Sequence, residues 1–483
     1  MQYNFNDLKN IYIYGAGDYA HFLHSCLCVL GYGKNIKGFI VTKKECESYL
    51  GLPIIEFDVF LSDYYCDKLS IIIAMKERLA AQVEETLKRA NINKYLIMDT
   101  CMQNYLINNM KTYYGKYQIV RNKVFFESFY GKIYGCNPKY ITEELLNRRE
   151  DLEIVWSMVD SPRTCIPKDI KQVERFSPDY FYEYYTSAVY ISNSTCTVFN
   201  LKREGQYYLE TWHGVGPFKK CGKDAVCDFT VGSSDGKAKE AIDALLAGSQ
   251  FNVEFYRQAY DYKKEILKLG YPRNDIFFRD NSEIKKKVYE KYSISKDKKI
   301  VLYAPTFRND RSVDSFKHYD LNIKSVVESL NDKFNNDFIC VVKCHTILRQ
   351  YLNSGEWHGE VIDASEYDDT QELLVAADVL ISDYSSIIWD FALQRKPVFL
   401  YHADENEYKN DRGFYVPPEE WPYYIGHSNA EMLEKINQYD EASYRMALDE
   451  YFVKYGSYDD GHASKRVADR VLDVIRYPEK YGK

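Results

Sequence analysis

Short apolar runs alternate with amphipathic stretches along almost the whole chain. That alternation restricts the fold to sheets whose strands are joined through helices and therefore run parallel. The first run is Ile11-Tyr12-Ile13-Tyr14, followed by a helical spacing through Phe22, Leu23, Leu27 and Leu30 that stops at Gly31. Residues 38–41 and 71–74 read as further strands, and 77–90 as a helix. Residues 99–116 are less patterned and are expected to link this unit to the rest. A second series of strands is expected at 123–127, 152–158, 188–192 and 206–210, with helical sequence to Tyr260. The chain crosses over near 267–273. A third series then starts at 299–303 and continues through 338–343, 361–362, Val379–Ser382 and Val398–Tyr401. Helical patterns such as 463–477 close the chain.

A length of 483 residues suits two or three domains. Two α/β halves following a smaller one imply a cleft between domains, where small molecules usually bind. The net charge of −8 argues against a nucleic-acid partner, which requires a basic footprint. The 12 cysteines are dispersed, with no CxxC pair and no zinc spacing. They point to a reduced, cytoplasmic protein, and no metal site is legible. Residues 1–10 hold no apolar signal core, and nowhere do about 18 apolar residues run together.

Gly15-x-Gly17-x-x-Ala20 follows a strand and precedes a helix, the position of a dinucleotide turn. The second strand leads into Thr42-Lys43-Lys44, without the carboxylate that a cofactor ribose would want. Gly15 and Gly17 are thus a candidate nucleotide site or a tight structural turn.

Four segments carry chemistry. Thr211-Trp212-His213-Gly214 ends a strand and leads to Lys219-Lys220, placing an imidazole beside two cations. Lys343-Cys344-His345 ends another strand in the same manner. Two histidines, each at a strand's carboxyl end beside a lysine, point to a shared cleft. Asp383-Tyr384-Ser385-Ser386 turns a strand into a helix near Ile387; its hydroxyls and free N–H groups suit a diphosphate, and equally an ordinary helix cap. Thr306-Phe307-Arg308 leaves a strand, and Arg308 or Arg311 is either a phosphate contact or an ordinary solvated loop arginine. Leu269-Gly270-Tyr271-Pro272-Arg273-Asn274-Asp275 reads as a shaped inter-domain loop.

In order, Trp212-His213-Gly214 with Lys219-Lys220, Gly270 to Asp275, Tyr303 to Arg308, Lys343-Cys344-His345, Ser382 to Ser386 with Asp390-Phe391, and Asp411-Arg412-Gly413 resemble the CDP-glycerol glycerophosphotransferase family of teichoic-acid and capsule enzymes. Phe126-Glu127-Ser128-Phe129-Tyr130-Gly131 with Asn137-Pro138 looks like that family's opening motif. The resemblance covers roughly 120 to 425. It implies an α/β fold with a GT-B-like pair of Rossmann-like domains, preceded by a small N-terminal Rossmann-like accessory domain. The expected boundaries are 1–110 for the accessory domain, 117–285 for the acceptor side, 286–425 for the CDP-donor side, and 426–483 for helices packing back.

The resemblance also implies transfer of glycerol phosphate from CDP-glycerol, or another CDP-polyol, to a lipid-linked or oligosaccharide acceptor, releasing CMP. No further cofactor is required, and peripheral contact with the inner membrane face follows from such an acceptor. Carried over, His213 and His345 are the catalytic pair. Ser385, Ser386, Asp383, Lys343, Arg308, Thr306 and Arg273 fall to the donor, and Lys219, Lys220 and Glu127 to the acceptor or its phosphate. Two departures fall at the site: Gly-Val-Gly-Pro-Phe after His213 lacks the usual Thr-Pro, and Thr346 replaces a proline. The alternatives are a nucleotide-sugar glycosyltransferase on the same fold and a nucleotide-binding regulatory or scaffold protein.

Overall fold

β-branched and aromatic runs such as Ile-Val-Leu-Tyr and Val-Leu-Ile-Ser are apolar on both sides of the strand, so they must be covered on both faces, as parallel sheets are. Three such sheets form. The structure, a computed structural model, describes residues 5, 8–66, 68–148, 151–159, 162–194, 199–214, 219–224, 236–306, 319–344, 361–411 and 413–481.

The first sheet contains β1 (Ile11–Tyr14), β2 (Ile36–Val41), β3 (Ser48–Tyr49), β4 (Leu52–Glu56), β5 (Ser70–Ile73) and β6 (Tyr95–Ile97), in the order β3-β4-β2-β1-β5-β6. Only the β3–β4 pairing is antiparallel. The second contains β7 (Val120–Glu127), β8 (Glu153–Met158), β9 (Lys171–Glu174), β10 (Ser187–Ser192), β11 (Tyr207–Glu210), β12 (Ala244–Ala247) and β13 (Glu265–Lys268), in the order β13-β12-β11-β10-β7-β8-β9. The third contains β14 (Lys299–Ala304), β15 (Phe338–Val342), β16 (Val361–Asp363), β17 (Val379–Ser382), β18 (Val398–Tyr401) and β19 (Tyr424–Gly426), in the order β16-β15-β14-β17-β18-β19. The second and third sheets are parallel throughout, and the fold class is α/β with a GT-B-like pair of Rossmann-like units.

In each sheet the strand order reverses beside the first strand, opening a crevice at the carboxyl edge where α/β proteins bind ligands. The crevices lie between β1 and β5, β7 and β10, and β14 and β17.

The stretch 99–116, expected as an unpatterned link, is instead a helix, Thr100–Gly115. The Asp99 side chain caps it by accepting the Met102 N–H at 2.8 Å. Its apolar residues Met102, Leu106, Met110 and Tyr114 recur at fours and are buried. Polar Asn and Gln between them disguise that period. The helix lies in one continuous core running from Ile11 and Ile13 to Phe125 and Tyr190, so the first two sheets share apolar packing. Phe22 stacks on Phe199 at 3.8 Å and Tyr114 on Tyr185 at 5.2 Å across this contact.

Helices Asn429–Gln438 and Glu441–Tyr455 cover the third sheet. Helix Ala463–Arg476 then returns to the second, burying Val467, Val471 and Leu472 against Val124, Val189 and Leu209. Among the described residues no helix is long and apolar enough to cross a membrane.

Candidate active site

β11 ends at Glu210, and the chain then turns sharply: Trp212 has φ +56°. A non-glycine residue held there costs on the order of 1 kcal/mol, so neighbouring bonds must fix it. The Glu210 carboxylate accepts the Trp212 N–H at 2.9 Å, Asn137 Nδ2 donates to the Trp212 carbonyl at 3.0 Å, and the indole N–H donates to the Gly214 carbonyl at 2.9 Å. Glu210 also accepts the Tyr208 hydroxyl at 2.7 Å, and burial raises its pKa to about 8.

This turn aims His213. Its Nδ1 lies 2.5 Å from the Asn193 carbonyl, which can only accept. Nδ1 therefore carries the hydrogen, and Nε2 keeps a lone pair free to take a proton. Loss of solvation lowers the His213 pKa to about 4, opposed by the Asn193 carbonyl and helped by the positive Arg273 and Lys219. The residue nonetheless keeps solvent-exposed surface. At neutral pH the imidazole is uncharged. It packs on Trp212 at 5.2 Å and Phe129 at 5.0 Å between ring centres.

Asn193 in turn is held by the segment leaving β7. Its Oδ1 accepts the Phe129 N–H at 2.8 Å, and its Nδ2 donates to Ser128 Oγ at 3.1 Å. Phe129 and Tyr130 are both left-handed, at φ +45° and +58°. Sequence reasoning gave Asn193 no role, because Ser-Asn-Ser after a strand reads as an ordinary turn. Glu210 was passed over too, as the last residue of an apolar strand.

The third sheet meets this corner. A Cβ on Gly214 would lie 2.4 Å from Ser386 Oγ, so the glycine brings the His213 turn directly against the serine pair. Lys219 pairs its backbone with Phe414, and the Lys220 N–H donates to the Gly413 carbonyl at 3.0 Å, tying the dilysine segment across the cleft. Both lysines are half-buried there. Asp383 and Thr306 follow the ends of β17 and β14. The Asp383 carboxylate accepts the Thr306 N–H at 2.9 Å and its hydroxyl, so it shapes the loop at the crevice.

Three expected binding residues are engaged otherwise. Arg273, expected at the donor, is buried, and its guanidinium takes both oxygens of Asp390, at 2.9 and 3.1 Å. Asn274 and Gln371 join the same carboxylate, and Asn274 also bonds Asp459. The loop thereby fastens the second sheet to the third, because a buried charge requires a paired one. Lys343 donates to the Ser365 and Tyr367 carbonyls at 3.2 and 2.7 Å, and burial lowers its pKa. Glu127, expected near the acceptor, is buried against Arg175 at 3.2 Å and accepts the Ser157 hydroxyl at 2.8 Å. Arg308, Arg311, His345, Thr346 and the Gly-Val-Gly-Pro-Phe departure beyond Gly214 lie outside the described residues.

At the first sheet, Gly15 has φ +122°, and a Cβ there would lie 2.8 Å from the Ala74 carbonyl, so the close passage of two backbones requires the glycine. Nothing lies within 4 Å of a Cβ on Gly17.

The sequence model described as CDP-Glycerol:Poly(glycerophosphate) glycerophosphotransferase matches residues 110–473. The chain belongs to this glycerophosphotransferase family. A teichoic acid poly(glycerol phosphate) polymerase of Bacillus spizizenii is 29% identical over 362 residues, covering 72% of this chain and 91% of that one. Another from Staphylococcus epidermidis is 29% identical over 372 residues, 73% of this chain; the match spans about half, 51%, of that longer relative. The solved wall teichoic acid polymerase TagF superposes with a TM-score of 0.68 at 25% identity, over 83% of this chain and 99% of that structure. A histidine-to-asparagine variant of TagF has also been solved after soaking with CDPG. As a member of this family, the chain carries its match on the second and third sheets, while the first sheet lies before residue 110.

Proposed function

We propose that this chain transfers glycerol phosphate from CDP-glycerol to a hydroxyl of a wall- or capsule-polymer acceptor and releases CMP. The observation that carries the reading is His213: an uncharged imidazole with Nε2 unprotonated, fixed by Asn193 and followed by Gly214, which abuts Ser386 of the facing sheet. Nε2 accepts the acceptor's hydroxyl proton while that oxygen attacks the β-phosphorus. The bond from that phosphorus to the CMP oxygen breaks, and CMP leaves as an anion. The charge spread over the phosphate oxygens calls for fixed donors. Ser385, Ser386 and the backbone after β17 supply them on the donor side, with Thr306 held by Asp383. Lys219 and Lys220 face the same cleft, and Arg308 and His345 complete the set in this reading. Arg273 and Glu127 contribute by holding the frame. Residues 117–285 are the acceptor side and 286–425 the donor side. A lipid-linked acceptor brings the enzyme to the membrane surface.

The test is CMP release from CDP-glycerol with a polyol-phosphate primer, comparing the protein with His213→Ala and His345→Ala. Release lost in both folded variants supports the reading. Turnover of CDP-ribitol or a nucleotide sugar in place of CDP-glycerol replaces the donor, and activity that survives His213→Ala removes the base.

A further inference from the structure

The residues before 110 lie ahead of the family match, yet one charged contact joins them to the turn behind His213. Arg175, just past β9, is buried. Its NH1 lies 3.1 Å from Asp18, and its Nε lies 3.2 Å from Glu127. Asp18 is the first residue of helix Asp18–Val29, directly after the Gly15-Ala16-Gly17 turn. Glu127 is the last residue of β7, directly before Ser128, Phe129 and Tyr130. The guanidinium also sits 5.7 Å from the Tyr130 ring, and the Arg175 stem would meet a Cβ on Gly131 at 3.3 Å. One arginine thus braces the left-handed Phe129-Tyr130 turn from behind. The front of that segment holds Asn193, whose carbonyl fixes the His213 tautomer.

We infer that Arg175 is a positioning residue for His213 and that Asp18 lets the first-sheet unit set its placement. The physical reason is charge balance. Arg175 answers to two carboxylates, one buried at Glu127 and one half-open at Asp18. Loss or displacement of Asp18 shifts the guanidinium towards Glu127 and Tyr130, and the strained turn has little freedom to absorb the shift. Anything that moves the start of the helix after Gly17 acts on the same contact. The inference rests on His213 being the base, as proposed above.

The test uses the full chain with Asp18→Ala, Asp18→Glu and Arg175→Lys. Asp18 is mostly exposed, so its removal leaves the fold intact, whereas Arg175→Ala would strand the buried Glu127. Two readouts are taken: kcat and KM for CMP release, and the rate at which diethyl pyrocarbonate modifies His213, read by peptide mass spectrometry. For Asp18→Ala and Arg175→Lys the expected result is a kcat lower by about threefold to thirtyfold, with KM for the donor unchanged. The His213 modification rate changes as well, and Asp18→Glu recovers both readouts. Wild-type values of kcat and modification rate in both variants overturn the inference. If the wild type shows no CMP release while the modification rate still responds, the coupling stands and the proposed reaction fails.

Discussion

The crevices of the first and second sheets arise from the same topology and are put to different use. Between β1 and β5 the contact is backbone on backbone: Gly15 passes the Ala74 carbonyl so closely that no side chain fits. Between β7 and β10, the residues just past the strand ends send side chains towards one another. Ser128, the Phe129 N–H and Asn193 interlock, and the product is an imidazole with a defined tautomer. A parallel sheet with reversed strand order supplies a crevice in both cases. Chemistry requires in addition that polar groups at its mouth lock each other in place.

The comparison can be broken most sharply at His213. His213→Ala is expected to lower kcat about 10²- to 10⁴-fold, measured as CMP release, with thermal unfolding little changed. A smaller loss would make the second crevice as inert as the first. Next comes the contact with the third sheet. Gly214→Ala places a methyl 2.4 Å from Ser386 Oγ, and kcat/KM should fall about tenfold to a hundredfold. Adding Ser386→Ala should relieve the clash, read as thermal stability regained over the single Gly214→Ala variant because Ser386 also serves the donor; no regain would mean that the two residues do not meet.

At the first crevice the expected effect is on stability. Gly15→Ala should cost about 1–3 kcal/mol in denaturant unfolding, from the positive φ and the Ala74 carbonyl together, while Gly17→Ala should cost under about 1 kcal/mol. Equal costs would mean that the glycines do not divide the work in this way.

The last prediction tests the support beneath His213. The Glu210 pKa is raised by burial from the ordinary carboxyl range to about 8, so its contribution to stability is present below about pH 4.5 and is lost as pH rises through 8. Glu210→Gln, uncharged throughout, should therefore gain on the wild type between pH 5 and 9 by on the order of 1–3 kcal/mol. A pH-independent difference would show that the carboxyl does not titrate in that window.

Much of this molecule was legible from residue order. Alternating apolar runs and helical periods announced the parallel sheets, and the Trp-His-Gly, Lys343-Cys344 and Asp-Tyr-Ser-Ser segments each fell at a strand's carboxyl end. Helix Thr100–Gly115 was hidden because Asn and Gln between Met102, Leu106 and Met110 blur its period. Arg273 looked like a phosphate ligand because an arginine in a loop carries no mark of its partner; Asp390, 117 residues away, is what claims it.

By itself the sequence determined which residues end strands and which chemistry they bring, since side-chain period and turn composition are local properties of a chain. The tertiary structure alone decided which of those residues face a ligand and which face each other. Asn193 against His213, Glu127 against Arg175 and Gly214 against Ser386 are contacts between segments distant in sequence, and burial makes partnership compulsory for the charged ones.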